Sequence, residues 1–148
     1  MPSTHTSLFY HFVFSTKNRM PWISAPYQKR LHAYLGGVAS GADGIALAVG
    51  GVEDHVHVLA QLSPTCRICD FIRDLKGESS LWMHRVMRHP DFAWQEGYGA
   101  FSVSAPAVDA VKGYIRNQRA HHAKRGFEAE YLEMLGVGRV DFNREHLW

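Results

Sequence analysis

Long apolar runs are missing from this chain: none approaches the 18 or more residues that a membrane-spanning helix requires. No cationic residue precedes the first apolar segment, since Lys17 is the earliest. A secretory leader is therefore not expected, and the cytoplasm is the expected location. There are only two cysteines, Cys66 and Cys69, so no disulfide framework exists. At 148 residues a single core can stand without one. Internal repeats, low-complexity tracts and linker-like composition are also absent, which makes residues 1–148 one expected domain. Charged residues are only 20% against 46% hydrophobic, outside the composition of disordered chains.

Negative charge is missing from two particular stretches. Residues 1–42 hold no acid but carry Lys17, Arg19, Lys29 and Arg30. Residues 110–127 hold none either, and carry Lys112, Arg116, Arg119, Lys124 and Arg125 with His121 and His122. On a chain of net charge only +2, two such segments describe either an anion-binding face or a basic, solvated helix surface.

Periodicity places these segments. Residues 7–16 are β-branched and aromatic and read as a strand. Helical spacing over 26–40 is followed by strands at 44–52 and 55–62. A helix is expected to about Lys76, with Gly77 breaking it and a second helix over 79–88. A strand at 100–104, a long helix over 105–125 and a short one at 128–135 complete the chain. The order β-α-β-β-α-β-α predicts an α+β fold with helices packed on an antiparallel sheet.

His55-Val56-His57 is the sharpest chemical signal. Side chains two apart on a strand share a face, about 6.6 Å apart, so both imidazoles can meet one metal while Val56 enters the core. Glu53 is expected on that face and Asp54 on the other. The same spacing also describes the polar face of an amphipathic strand. In the helix over 111–122, Tyr114 and Gln118 are one turn apart, with His121 continuing the face. A phenol of pKa near 10 needs a base or metal before it attacks.

Several segments carry a resemblance. GGVEDHVHVLAQL (50–62), IRDLKGESSLW (72–82), WQEGYGAFSVS (94–104) and YIRNQRAHH (114–122) follow YHFVFSTKNRMPWI (10–23) and precede FEAEYLEMLG (127–136). In this order they resemble the HUH single-strand DNA transposases that use one tyrosine, the group of insertion sequence 200/605 elements and the REP-associated tyrosine transposases. The resemblance implies a ferredoxin- or RRM-like HUH fold. It implies His55, His57 and Gln118 as ligands of a divalent metal, Mg2+ or Mn2+, and Tyr114 as the nucleophile. The reaction implied is cleavage and rejoining of single-stranded DNA beside a hairpin, through a 5′-phosphotyrosine. Lys17, Arg19, Lys76, Ser79, Trp94, Tyr98, Arg116 and Arg119 become candidate DNA contacts, with Trp22 a further stacking candidate. The insertion-sequence branch exchanges tyrosine helices within a homodimer, whereas the REP-associated branch works as a monomer; both arrangements stay open.

Other readings use the same residues. A non-catalytic regulator that binds single-stranded hairpins would share the whole pattern. A relaxase or replication initiator would set its tyrosine in a different context and a larger protein. A zinc-binding domain could join His55 and His57 to Cys66 and Cys69; the reading preferred to it makes the two cysteines reduced thiols at a helix start, Cys69 buried and Cys66 partly exposed. Zinc deaminases are a poorer match, because His57 stands where their glutamate is required.

Overall fold

The computed structural model describes residues 3–148. Strand β1 (Phe9–Ser15) leads through a 3-10 turn at Lys17–Arg19 to helix α1 (Ala25–Gly41), then strands β2 (Gly44–Val52) and β3 (His55–Leu62). Helix α2 (Ile68–Arg85) precedes β4 (Gly99–Val103). Three helices close the chain: α3 (Val108–Arg116), α4 (Gln118–His122) and α5 (Phe127–Val137). The sheet is antiparallel with strand order β2-β3-β1-β4. Strands β1 and β2 both flank β3 and so run parallel to each other, which requires a crossover, supplied by α1. Helix α2 does the same for β3 and β4. The fold is the expected α+β, ferredoxin-like arrangement.

Alternation along the two central strands decides what each face holds. Phe12, Phe14, Val56, Val58, Ala60 and Leu62 point to one side and pack with Leu31, Leu35, Phe71, Ile72 and Leu75 of α1 and α2. His11, Val13, Ser15, His55, His57 and Leu59 are in the opposite phase, yet they too are buried. That second face is covered by α3, through Ile115 on Ala48 and Leu59, and by α5, through Phe127, Tyr131 and Leu135 on Val13. A strand wrapped on both faces has no solvated side, so its histidines are interior groups. No described helix is long and apolar enough to cross a membrane.

Two helix boundaries differ from expectation. Helix α2 runs unbroken through Gly77, which sits on its exposed side with open space around it. One exposed glycine costs about 1 kcal/mol, less than the burial of Phe71, Ile72, Leu75 and Met83 along a continuous stripe. Conversely, the expected long helix over 105–125 is divided. A 3-10 turn at Ala105–Ala107 precedes α3, and Asn117 (φ −101°, ψ 24°) separates α3 from α4. Asparagine is a poor interior helix residue and suits such a junction.

Gly50 lets α3 lie directly on the sheet. A Cβ there would stand 2.3 Å from the Ile115 carbonyl oxygen. Gly50→Val should therefore lift α3, with Tyr114 on it. We expect the protein to remain folded on its α1/α2 core, to lose about 1–3 kcal/mol in a urea melt, and to lose activity disproportionately.

Candidate active site

The site begins with the orientation of His55 and His57. Both are fully buried, with ring centres 5.0 Å apart. The Nδ1 of His55 lies 2.8 Å from Asp54 Oδ1, and Nδ1 of His57 lies 2.7 Å from Nε2 of the buried His11. With both Nδ1 positions engaged, each ring aims Nε2 into the same space, as second-shell partners of metal-binding imidazoles do. Asp54 was expected on the other face. It lies in the turn before β3, where strand alternation does not yet apply, and reaches back to His55. Glu53 faces outward instead, 2.8 Å from the Arg119 guanidinium.

The covering helices bring further donors. Gln118 Oε1 lies 3.3 Å from His55 Nε2 and 2.9 Å from His122 Nε2, while Gln118 Nε2 donates to the Tyr114 carbonyl. Glu130 of α5, 2% exposed, splits its carboxylate. Oε1 faces His57 at 3.0 Å and His55 at 3.9 Å; Oε2 faces His121 at 3.1 Å and His122 at 3.2 Å. Ligand atoms of His55, His57, His122 and Glu130 all lie within 4.8 Å of one another. The His57 and His121 Nε2 atoms and both Glu130 oxygens are close but not aligned as hydrogen bonds, leaving buried polar atoms without hydrogen-bond partners. Buried groups that converge on a point rather than on each other suit a shared cation.

Electrostatics agree with that chemistry. Burial lowers His57 from 6.5 to about 4, so it is neutral and able to ligate at neutral pH. Burial opposes ionisation of Glu130, but His122 and His57 outweigh it and hold the carboxyl well below the usual range. Tyr114 stands at the edge of this group, its ring 5.7 Å from His57 and 5.0 Å from His121. Burial first, and then the Glu130 carboxylate, push its phenol above the ordinary value. A tyrosine so placed is inert until a cation offsets that carboxylate.

The expected DNA contacts divide into interior and exposed residues. Ser79 and Trp94 require correction: both are buried, and the Trp94 indole donates to Ser79 Oγ at 2.9 Å. Trp94 also packs edge-on against Phe14 and Phe92. Together they brace α2 against the loop before β4. Lys76 is half-buried and clamps that loop, donating to the Gln95, Glu96 and Gly97 carbonyls. Arg19 pairs with Asp54 at 3.5 Å and lies over Phe127 and Trp148, tying the first turn to α5. Trp22 packs on Phe92. Lys17, Tyr98, Arg116 and Arg119 are exposed, the last engaged with Glu53 and Gln28.

The cysteines take no part in the histidine group. Cys66 is half-buried and donates to the Ala42 carbonyl, while Cys69 is exposed, the reverse of the expected order. They follow the far end of β3, whose five residue steps from His57 to Leu62 span about 17 Å. No cysteine belongs to the donor group found among the described residues. A Cys66→Ser, Cys69→Ser variant should bind Mn2+ as the unaltered protein does, by isothermal titration.

Sequence reading missed His11, His122 and Glu130. Glu130 had a signal: it falls in the buried stripe of α5 with Phe127, Tyr131 and Leu135, where an unpaired acid is costly. His11 likewise occupies the inward phase of β1 with Val13.

Comparison with known proteins follows the same architecture. The family model described as "Transposase IS200 like" matches residues 4–118, which include His55, His57, Tyr114 and Gln118 but not His122 or Glu130. A solved structure described as a transposase from Deinococcus radiodurans R1 is similar at 25% identity, over 80% of this chain and 96% of that one, with a TM-score of 0.63. A REP-associated tyrosine transposase bound to a REP hairpin shares the fold at 14% identity, over 86% of this chain and 76% of that one, with a TM-score of 0.58. No curated protein matches the chain.

Proposed function

This chain belongs to the IS200-like transposase family, and from that premise we propose that it cuts and rejoins single-stranded DNA beside a hairpin, with Tyr114 as nucleophile. The observation that carries the reading is the convergence of the His55 and His57 Nε2 atoms beside the Tyr114 ring. His55, His57 and Gln118 would hold a divalent metal, with Glu130 and His122 as additional donors. Such a metal polarises the scissile phosphate and neutralises charge on its oxygens.

Within the chain, His11 and Asp54 orient the two histidines. The phenol loses its proton to solvent as its oxygen attacks phosphorus, and the departing 3′-oxygen takes a proton from solvent. The phosphorus–3′-oxygen bond breaks, leaving a 3′-hydroxyl and a 5′-phosphotyrosine. Reversal by a second 3′-hydroxyl rejoins strands without ATP, because the phosphodiester energy is retained. Exposed Lys17, Arg116 and Arg119, with Lys124, supply the phosphate attraction that single-stranded DNA requires. Tyr98 is available to stack a base.

The donor set also ranks metals. Imidazoles with one carboxylate suit Mn2+ better than Mg2+, which prefers oxygen ligands and keeps its waters. Incubated with single-stranded DNA from its own genomic flanks, the protein should form a covalent adduct, faster with Mn2+ than with Mg2+ at equal concentration. Fully paired duplex should give none. Denaturing gels read both results, and equal cleavage of duplex would contradict the proposal.

A further inference from the structure

Two cavities flank the histidine group. One, of about 500 Å³, is lined by Arg19, Asp54, His122 and Phe127 and does not reach Tyr114. The other, of about 580 Å³, has Tyr114 and Glu130 in its wall and extends between β4 and α5 to Phe101, Ser102, Met134 and Val137. We propose that this second cavity seats the base of the nucleotide immediately 3′ of the cut, the one that stays joined to Tyr114. The proposal rests on the reading of Tyr114 as nucleophile, and it adds a protein-made nucleotide subsite to that reading.

The chemistry dictates which nucleotide is involved. Attack by Tyr114 leaves the 5′-phosphate on the phenol oxygen, so the 3′ nucleotide is retained while the 5′ strand departs. A base tethered through one phosphate and one sugar must lie within a nucleotide's length of that oxygen, and this cavity opens from the tyrosine itself. Its volume falls within the ~300–1,000 Å³ of small-ligand sites. The walls are suited to a base: Phe101, Met134 and Val137 offer apolar faces for stacking. Arg125, paired with Glu133 at the rim, is placed near the following phosphate. Apolar walls stack any base, so the subsite favours nucleotides over base-free esters without selecting strongly among the four bases.

A probe independent of DNA sequence tests this. Thymidine 5′-(p-nitrophenyl phosphate) presents one nucleotide on an activated phosphate. Tyr114 forms the oxygen–phosphorus bond, the aryl oxygen–phosphorus bond breaks, p-nitrophenolate leaves with the electron pair, and the phenol proton passes to buffer. Methyl p-nitrophenyl phosphate undergoes the same step without a base. With Mn2+, the nucleoside ester should label the protein about tenfold faster, an effect within the range of base stacking. Val137→Trp, on the face of α5 that carries Glu130 and Met134 and at a largely exposed position that leaves the core unchanged, narrows the cavity and should bring the ratio of the two rates close to one.

Equal rates for the two esters in the unaltered protein would overturn the subsite while leaving Tyr114 as nucleophile. Persistence of the tenfold ratio in Val137→Trp would overturn it as well. If neither ester labels Tyr114, the nucleophile reading fails, and titration with thymidine 5′-monophosphate decides the cavity by itself. Binding weakened about tenfold by Val137→Trp keeps a nucleotide site there, and unchanged binding removes it.

Discussion

Tyr114→Phe should leave a folded protein that binds single-stranded hairpins and forms no covalent adduct with them. The substitution removes one oxygen and keeps the ring that packs between His57 and His121. The phenol is not needed to keep Glu130 ionised, because His122 and His57 are its stronger partners. Stability should therefore change by no more than about 1 kcal/mol, the scale of one hydrogen bond. Adduct formation should fall by about 10⁴-fold or more, as removal of a nucleophile does elsewhere. Tyr98→Phe and Tyr131→Phe are the controls. Tyr98 is exposed on the loop before β4, and Tyr131 packs on Phe127 and Trp148. Both should retain adduct formation.

Replacing His55 and His57 together by Ala should abolish metal-dependent cleavage while hairpin binding persists. The two rings supply the converging nitrogens, and His11 and Asp54 lie on their far, Nδ1 sides rather than at the point of convergence. Loss of the cation forfeits several kcal/mol of transition-state stabilisation, or about 10³-fold or more in rate. It also leaves Tyr114 facing an uncompensated Glu130 carboxylate, which keeps its phenol protonated. The variant loses partners for a buried acid, so some destabilisation, about 1–3 kcal/mol, is expected. A His57→Asn variant, which retains a polar group near Glu130, separates the loss of metal from the loss of stability. Mn2+ titration should show no binding to the double variant.

Local pattern made the frame of the site readable. The strand bearing His55 and His57 was bounded correctly from 55 to 62 because alternation and Gly50-Gly51 mark it. The order of elements followed from short, well-punctuated segments. What pattern could not supply was convergence. Glu130 meets His57 only because α5 crosses the second face of the sheet, 73 residues later in the chain. His11 meets His57 only through the β1–β3 register, which pairs Val13 with His57 and sets His11 diagonally beside it. Ser79 and Trp94 belong to motifs that resemble family signatures, yet their side chains brace one another in the interior. Gly77 reads as a helix end on local propensity alone, and the apolar stripe from Phe71 to Met83 overrides it.

Peptide mapping of the trapped protein–DNA adduct tests the central claim most directly. Single-stranded flank DNA and Mn2+ are incubated with the protein, the complex is digested with protease and nuclease, and the nucleotide-bearing peptide is identified by mass. The account predicts one modified peptide, carrying a 5′-phosphonucleotide on Tyr114. A nucleotide found on Tyr98, on Tyr131 or on any residue other than Tyr114 would contradict it.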